Sequence, residues 1–153
     1  MKINELLRRE FVLEQLKAEN KRDALAELVG VFSQAKMNLD SEAMLHVLLE
    51  RERLGSTGIG DGIAIPHGKL PELAEMVVSF GRSREGIAFD AMDGKPVHLF
   101  FLLMAPENSA GQHLKALAKI SRMLKDANFR KNLLEAEGEE DLIRIITEKD
   151  EET

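Results

Sequence analysis

Apolar positions along the chain follow two rhythms, one of three to four residues and one of short uninterrupted runs. Ile3, Leu6 and Leu7 mark a brief helical turn that leads into Phe11-Val12-Leu13, a short apolar run read as the first strand. Leu25, Leu28, Val29 and Phe32 then recur at helical spacing and predict a helix with one core face. Asn20 supplies its N-cap, with Asp23 three residues on in the first turn. A second helix is expected from Asp40 or Ser41, with Met44, Val47 and Leu48 inward. It closes on Glu50-Arg51-Glu52-Arg53, where basic residues complement the helix dipole. Gly55 ends it.

The second half reads differently. Met76–Phe80 predicts a strand, Gly86–Phe89 a short edge, and Asp93-Gly94 a turn. Val97–Met104 is almost continuously apolar, the pattern of a central strand buried on both faces. After Pro106 a polar loop leads into a helix with Leu114, Leu117, Ser121 and Leu124 along one stripe. Two further helices follow from Phe129/Leu133/Leu134 and Leu142/Ile145/Ile146. Glu148–Thr153 is expected to fray as an acidic tail beyond a domain of residues 1–147. Strands alternating with helices predict an α/β fold: one domain, with a mixed β-sheet sandwiched by helices on both faces.

Composition narrows the class. The 153 residues suit one domain with a real core, and 44% apolar against 31% charged is a globular balance. The absence of cysteine excludes a disulfide framework, thiolate catalysis and a zinc–sulfur site. A net charge of −6 without a basic, aromatic-laced stripe argues against nucleic-acid partners. Leu99–Ala105, the longest apolar run, is of strand length, far short of the roughly 18 residues that span a bilayer. A cytoplasmic protein with no membrane insertion is expected.

The chemistry converges on Gly55–Gly68, Gly-Ser-Thr-Gly-Ile-Gly-Asp-Gly-Ile-Ala-Ile-Pro-His-Gly. Five glycines with Ser56 and Thr57 among them offer backbone N–H groups to an anion such as phosphate. Ile63-Ala64-Ile65 is long enough for a brief strand that Pro66 would end, leaving His67 at the lip of a sheet. Glycine at 68 leaves it accessible. A neutral imidazole is nucleophilic near pH 7, so His67 is the candidate phosphoryl acceptor. Taken alone, the stretch reads first as a glycine loop that turns a corner beside a surface histidine.

The full word resembles the active-site signature of the fructose/mannitol-type EIIA domains of the phosphoenolpyruvate-dependent phosphotransferase system, most closely the stand-alone nitrogen-regulatory branch. The resemblance covers essentially the whole chain. It implies that His67 carries a phosphoryl group, on Nε2, received from an HPr- or NPr-like carrier charged through an Enzyme I. It implies that Arg51, just before the glycine loop, stabilises phosphate, where guanidinium can bind bidentately. It implies that His113, in Gln112-His113-Leu114, supports the site without carrying phosphate. Ser56, Thr57, Gly58, Gly60, Asp61 and Gly68 complete a phosphate-binding loop, and Asp61 stands where sugar-transporting members often have an acidic residue. No cofactor or metal is implied. Arg53, His46 and His98 are taken as structural, and an apolar docking rim is expected from Ile59, Phe89 and Met92.

The same residues bear on other functions. A nucleotide P-loop fails for want of the Gly-Lys-Ser/Thr end, and a dinucleotide fingerprint fails because a strand follows the glycines. A zinc hydrolase lacks supporting histidine spacing. A non-catalytic interaction module of the same fold remains the main competitor. Within the family, the resemblance implies either regulation of target proteins by phosphorylation state or transfer of phosphate to an EIIB domain for sugar uptake.

Overall fold

The computed structural model describes residues 1–35, 37 and 39–153. A short helix α1 (Ile3–Leu6) and a 3-10 turn (Arg9–Phe11) precede β1 (Val12–Leu13). Helices α2 (Lys21–Gln34) and α3 (Ser41–Arg53) follow, then three short strands, β2 (Gly58–Gly60), β3 (Ile63–Ala64) and β4 (His67–Lys69). Two long strands, β5 (Val77–Ile87) and β6 (Val97–Ala105), lead to α4 (Ala110–Lys125), α5 (Ala127–Glu135) and α6 (Glu139–Glu152).

Local chemistry sets the helix starts. The Asn20 side chain accepts from the Asp23 N–H at 2.9 Å, and Asp40 accepts from that of Ala43 at 3.1 Å. Each such cap is worth about 1 kcal/mol. Both helices begin where the side-chain pattern places them.

The sheet runs β1-β5-β6-β3-β2, with β4 also pairing on β6. The β5–β6 ladder is antiparallel, whereas β1 on β5 and β3 and β4 on β6 are parallel. Strand β6 is the centre, as its apolar run requires. Its adjacent Phe100 and Phe101 point to opposite faces, and each meets an aromatic edge, Phe89 at 5.3 Å and Phe80 at 4.9 Å between ring centroids. One face is covered by α2 and α3, the other by α4, α5 and α6.

Four expectations are corrected. Met76–Phe80 and Gly86–Phe89 are not separate strands; β5 is continuous from Val77 to Ile87, with irregular register between Arg82 and Ile87. The charged Arg82-Ser83-Arg84-Glu85 segment hid it. Arg82 is fully buried, its guanidinium donating to the carbonyls of Glu14, Leu133 and Ala136 at 2.7–3.0 Å. Satisfied in this way, a charge sits inside a sheet.

The buried stripe of α4 is Ala116, Ile120, Met123 and Leu124, with His113 and Lys119, whereas Leu114 is 68% exposed. Of the expected stripe only Leu124 is fully buried, and Lys119 takes a core-facing position instead. Residues 148–152 do not fray: α6 runs to Glu152, and Asp150 is buried against Lys119 Nζ at 2.7 Å. Asp150 also accepts from the Asn4 N–H at 3.0 Å, which ties α1 to α4 and α6. Burial pushes the Asp150 carboxyl up, but the Lys119 ammonium and the Asn4 and Ile3 N–H groups outweigh it and hold the group below the ordinary range. The fourth correction concerns β4. Pro66 does not end the pairing, because the Leu103 N–H reaches the Pro66 carbonyl at 2.9 Å and His67–Lys69 pair onward with Leu103–Ala105. A proline lacks only the donor, and here the sheet asks for its carbonyl.

Candidate active site

His67 therefore stands inside β4, a strand paired on one side only, to β6. At this border the two helical layers meet around one side chain. Gly68 turns the opposite way and lies under α3, where an added Cβ would come within 2.6 Å of Val47 Cγ1. Only glycine permits that approach. Arg51, one helical turn after Val47, shares its face and ends up near His67. From the other layer, the first turn of α4 brings His113, whose ring meets that of His67 edge-on at 5.7 Å between centroids and 85° between planes.

The two imidazoles are held differently. His67 Nδ1 lies 2.8 Å from the Ile65 carbonyl, which accepts only and so places the proton on Nδ1 and leaves Nε2 with its lone pair. Burial holds the His67 pKa below the ordinary histidine value, offset by the Ile65 bond; Arg51 lowers it further and Glu52 opposes. His113 is buried, and among the described residues neither ring nitrogen has a hydrogen-bond partner. Its pKa is also lowered, first by burial, then by His67 and Lys69. Both rings are thus kept neutral at pH 7, and the α4 N-terminus further disfavours an imidazolium there. The unsatisfied nitrogens of buried His113, beside the free Nε2 of His67, have the form of a site that takes an acceptor or donor from outside.

Arg51 is half-buried and donates to the Gly55 carbonyl at 2.9 Å, its one hydrogen bond among the described residues. Its remaining donors are uncommitted. Arg53 pairs on the surface with Glu50 at 3.0 Å. His98 Nδ1 bonds the Ser83 carbonyl at 2.8 Å, a structural contact, and His46 is exposed on α3.

The glycine stretch divides into two ends. Thr57 is buried, with its N–H and hydroxyl both donated to Glu52. The Ser56 hydroxyl donates to the Phe89 carbonyl at 3.2 Å and accepts from the Gly58 N–H at 3.0 Å. These hydroxyls are spent on the loop itself, so Ser56 and Thr57 are corrected from phosphate donors to structural residues, and Gly58 N–H with them. Gly60, Asp61 and Gly62 all have positive φ and form the tip of the β2–β3 turn. That tip is bonded to His98 and Leu99, whereas His67 stands beside Leu103. The separation is four to five strand residues, roughly 13–16 Å at about 3.3 Å each. Gly60 and Asp61 consequently lie outside the His67 site, where a loop-wide phosphate cradle placed them. Phe89 is buried and drops out of the expected rim, while Met92 and Ile59 are exposed together with Leu54 and Leu114.

Two contributors were missed in the sequence. Glu52 is the buried partner of Thr57 and of Lys21, whose Nζ is 3.1 Å away. No local signal separates it from its solvated neighbours Glu50 and Arg53. Lys69, by contrast, was findable: it stands two residues from His67 on a strand and so shares its face.

Residues 5–149 match the family described as "Phosphoenolpyruvate-dependent sugar phosphotransferase system, EIIA 2". The chain belongs to this family. It is 45% identical over 133 residues to the nitrogen regulatory protein of Bradyrhizobium diazoefficiens, covering 87% of this chain and 86% of that protein. It is 39% identical over 150 residues to the fructose-specific EIIABC component of Bacillus subtilis, covering 98% of this chain but only 24% of that longer protein. The crystal structure of the nitrogen regulatory protein IIA-Ntr from Neisseria meningitidis superposes with a TM-score of 0.88 at 34% identity, covering 95% of this chain and 99% of that one. Among the described residues no helix is long and apolar enough to cross a membrane.

Proposed function

We propose that this EIIA domain is a phosphohistidine carrier that regulates partner proteins by its phosphorylation state, with His67 as the acceptor. The observation that carries the reading is the Nδ1–Ile65 carbonyl contact at 2.8 Å, which leaves Nε2 as the nucleophile beside the partnerless His113. In the transfer, the Nε2 lone pair forms an N–P bond as the N–P bond of an HPr- or NPr-like donor breaks. The electron pair returns to the donor's nitrogen, and the proton stays on His67 Nδ1, donated to the Ile65 carbonyl. Arg51 offsets charge on the phosphoryl oxygens, His113 donates to one of them, and the α4 N-terminus adds its dipole. Docking of the carrier falls to the exposed Leu54, Met92 and Leu114.

Phosphorylation adds up to about two negative charges at the site, which distinguishes partners without moving the fold. Similarity to nitrogen regulatory proteins along most of the chain favours regulation, in the cytoplasm where the carrier acts. A second reading, transfer onward to an EIIB domain for carbohydrate uptake, is favoured by the likeness to a fructose-specific component.

Intact-mass spectrometry after incubation with Enzyme I, an HPr-type carrier and phosphoenolpyruvate tests the acceptor. An acid-labile gain of one phosphoryl group, absent in His67→Ala and retained in His113→Ala, is expected. No gain with an active carrier would leave an interaction module. Chasing the phosphorylated protein with a purified EIIB domain separates the two readings, since the sugar route predicts rapid loss of the group.

A further inference from the structure

We infer that Glu52 is the positioning residue of the site, setting both the His67 tautomer and the Arg51 guanidinium from beneath. The inference rests on His67 being the reacting side chain, as proposed above. Free neutral imidazole favours the proton on Nε2, the nitrogen that must be bare to attack. The Ile65 carbonyl reverses that preference only if it is held at the right distance and angle from Nδ1.

What holds it can be followed atom by atom. The Ile65 N–H donates to the Thr57 carbonyl at 3.1 Å. The Thr57 N–H donates to Glu52 at 3.1 Å from Oε1 and 3.3 Å from Oε2, and the Thr57 hydroxyl donates to Oε2. Lys21 Nζ closes the carboxylate from below at 3.1 Å and lies 4.9 Å from the centre of the Phe89 ring. Glu52 also follows Arg51 directly, and by fixing Thr57 it fixes the Gly55-Ser56 segment whose Gly55 carbonyl Arg51 grips at 2.9 Å. One buried carboxylate thus joins the end of α3, the start of the glycine stretch and the His67 acceptor.

The connection is mechanical. The Thr57 N–H and C=O belong to different peptide units, and so do those of Ile65, so no chain of polarised amides runs from Glu52 to His67. Pro66 gives the Ile65 carbonyl a tertiary amide with no N–H, so that peptide unit has no donor of its own to anchor it, and the Ile65 N–H bond to Thr57 at 3.1 Å is the hold on its near side. Lys21 compensates the buried carboxylate charge, which isolated would be costly.

Two double variants separate anchoring from charge. Lys21→Met with Glu52→Gln removes both charges but keeps an oxygen for the Thr57 N–H. Lys21→Met with Glu52→Leu removes the charges and the anchor together. Nitrogen-15 NMR of the His67 imidazole in unphosphorylated protein reads the tautomer, and phosphorylation rate from the carrier reads the consequence. The glutamine pair should keep the Nδ1–H tautomer. The leucine pair should show the Nε2–H form and about a tenfold slower rate, the scale expected for a displaced reacting group. Should the leucine pair fail to fold, Glu52→Asp alone, which keeps the charge but shortens the reach to Thr57, should show the same shift. A wild-type tautomer in the leucine pair, or in the aspartate variant standing in for it, overturns the inference. An equal shift in both double variants also overturns it, since charge would then be the cause. The tautomer measurement needs no phosphoryl donor, so it can fail while His67 still accepts phosphate, and the reverse.

Discussion

The two ends of the glycine stretch look alike in composition and serve opposite purposes. At the Gly55–Thr57 end the Gly55 carbonyl, the Ser56 hydroxyl, and the Thr57 N–H and hydroxyl are engaged, to Arg51, Phe89 and Glu52, and the Thr57 carbonyl takes the Ile65 N–H beside His67. At the Gly60–Gly62 end the chain only reverses, using three consecutive positive-φ residues, and bonds to the start of β6. Glycine serves the stretch for different reasons: close packing at Gly68 beside His67, and backbone conformation at the far tip. A motif rich in one residue type is therefore not one site.

The sharpest way to break this contrast is Gly68→Val. Its side chain has no room beneath Val47, so α3 must shift and carry Arg51 with it. We expect a loss of about 1–3 kcal/mol in urea denaturation, the cost of overpacking, together with near-complete loss of phosphorylation. Arg51→Met should fold normally and slow phosphorylation about 100-fold, the scale of one lost electrostatic contact in the transition state. Unchanged single-turnover rates in that variant would remove Arg51 from the site.

The pH response sharpens the same end. His67 and His113 have folded pKa values below the ordinary histidine value of about 6.5 because burial disfavours their charged forms. The unfolded chain therefore binds more protons as pH falls through 6.5. Their contribution to stability is full above that value and declines below it until the folded pKa values are passed. Denaturation midpoints between pH 7 and 5 should fall less steeply in His67→Gln/His113→Gln than in wild type. The phosphorylation rate should stay flat on lowering the pH to about 6.5, since His67 remains neutral there.

At the far tip the expected effects are smaller and of another kind. Gly62→Ala forces a side chain into left-handed backbone at φ 75° and should cost about 1 kcal/mol in denaturation while leaving the phosphorylation rate unchanged. Asp61→Asn should change neither quantity measurably at physiological salt, because its charge is more than the roughly 8 Å screening length from His67. A rate change in Asp61→Asn would reunite the two ends.

The sequence by itself determined the elements whose cause is local. Asn20 and Asp40 cap where they stand, an unbroken apolar run makes β6 central, and the Pro-His-Gly step singles out His67. Periodicity misled where a polar side chain takes a core position: Lys119 diverts the stripe of α4, Arg82 disguises β5, and Asp150 keeps the acidic end helical. Each is buried because a partner far along the chain satisfies it, and no window of neighbouring residues contains that partner. The site follows the same division. The resemblance pointed to His67, Arg51 and His113 as a set, but the meeting of the two rings was decided when β4 joined the border of the sheet, with α3 on one side and α4 on the other. Tertiary structure alone decided that Thr57 serves Glu52 instead of phosphate and that Asp61 is distant. Hydrogen-bond ownership depends on which groups fold within 3 Å of each other, a property of the packed chain and not of its spelling.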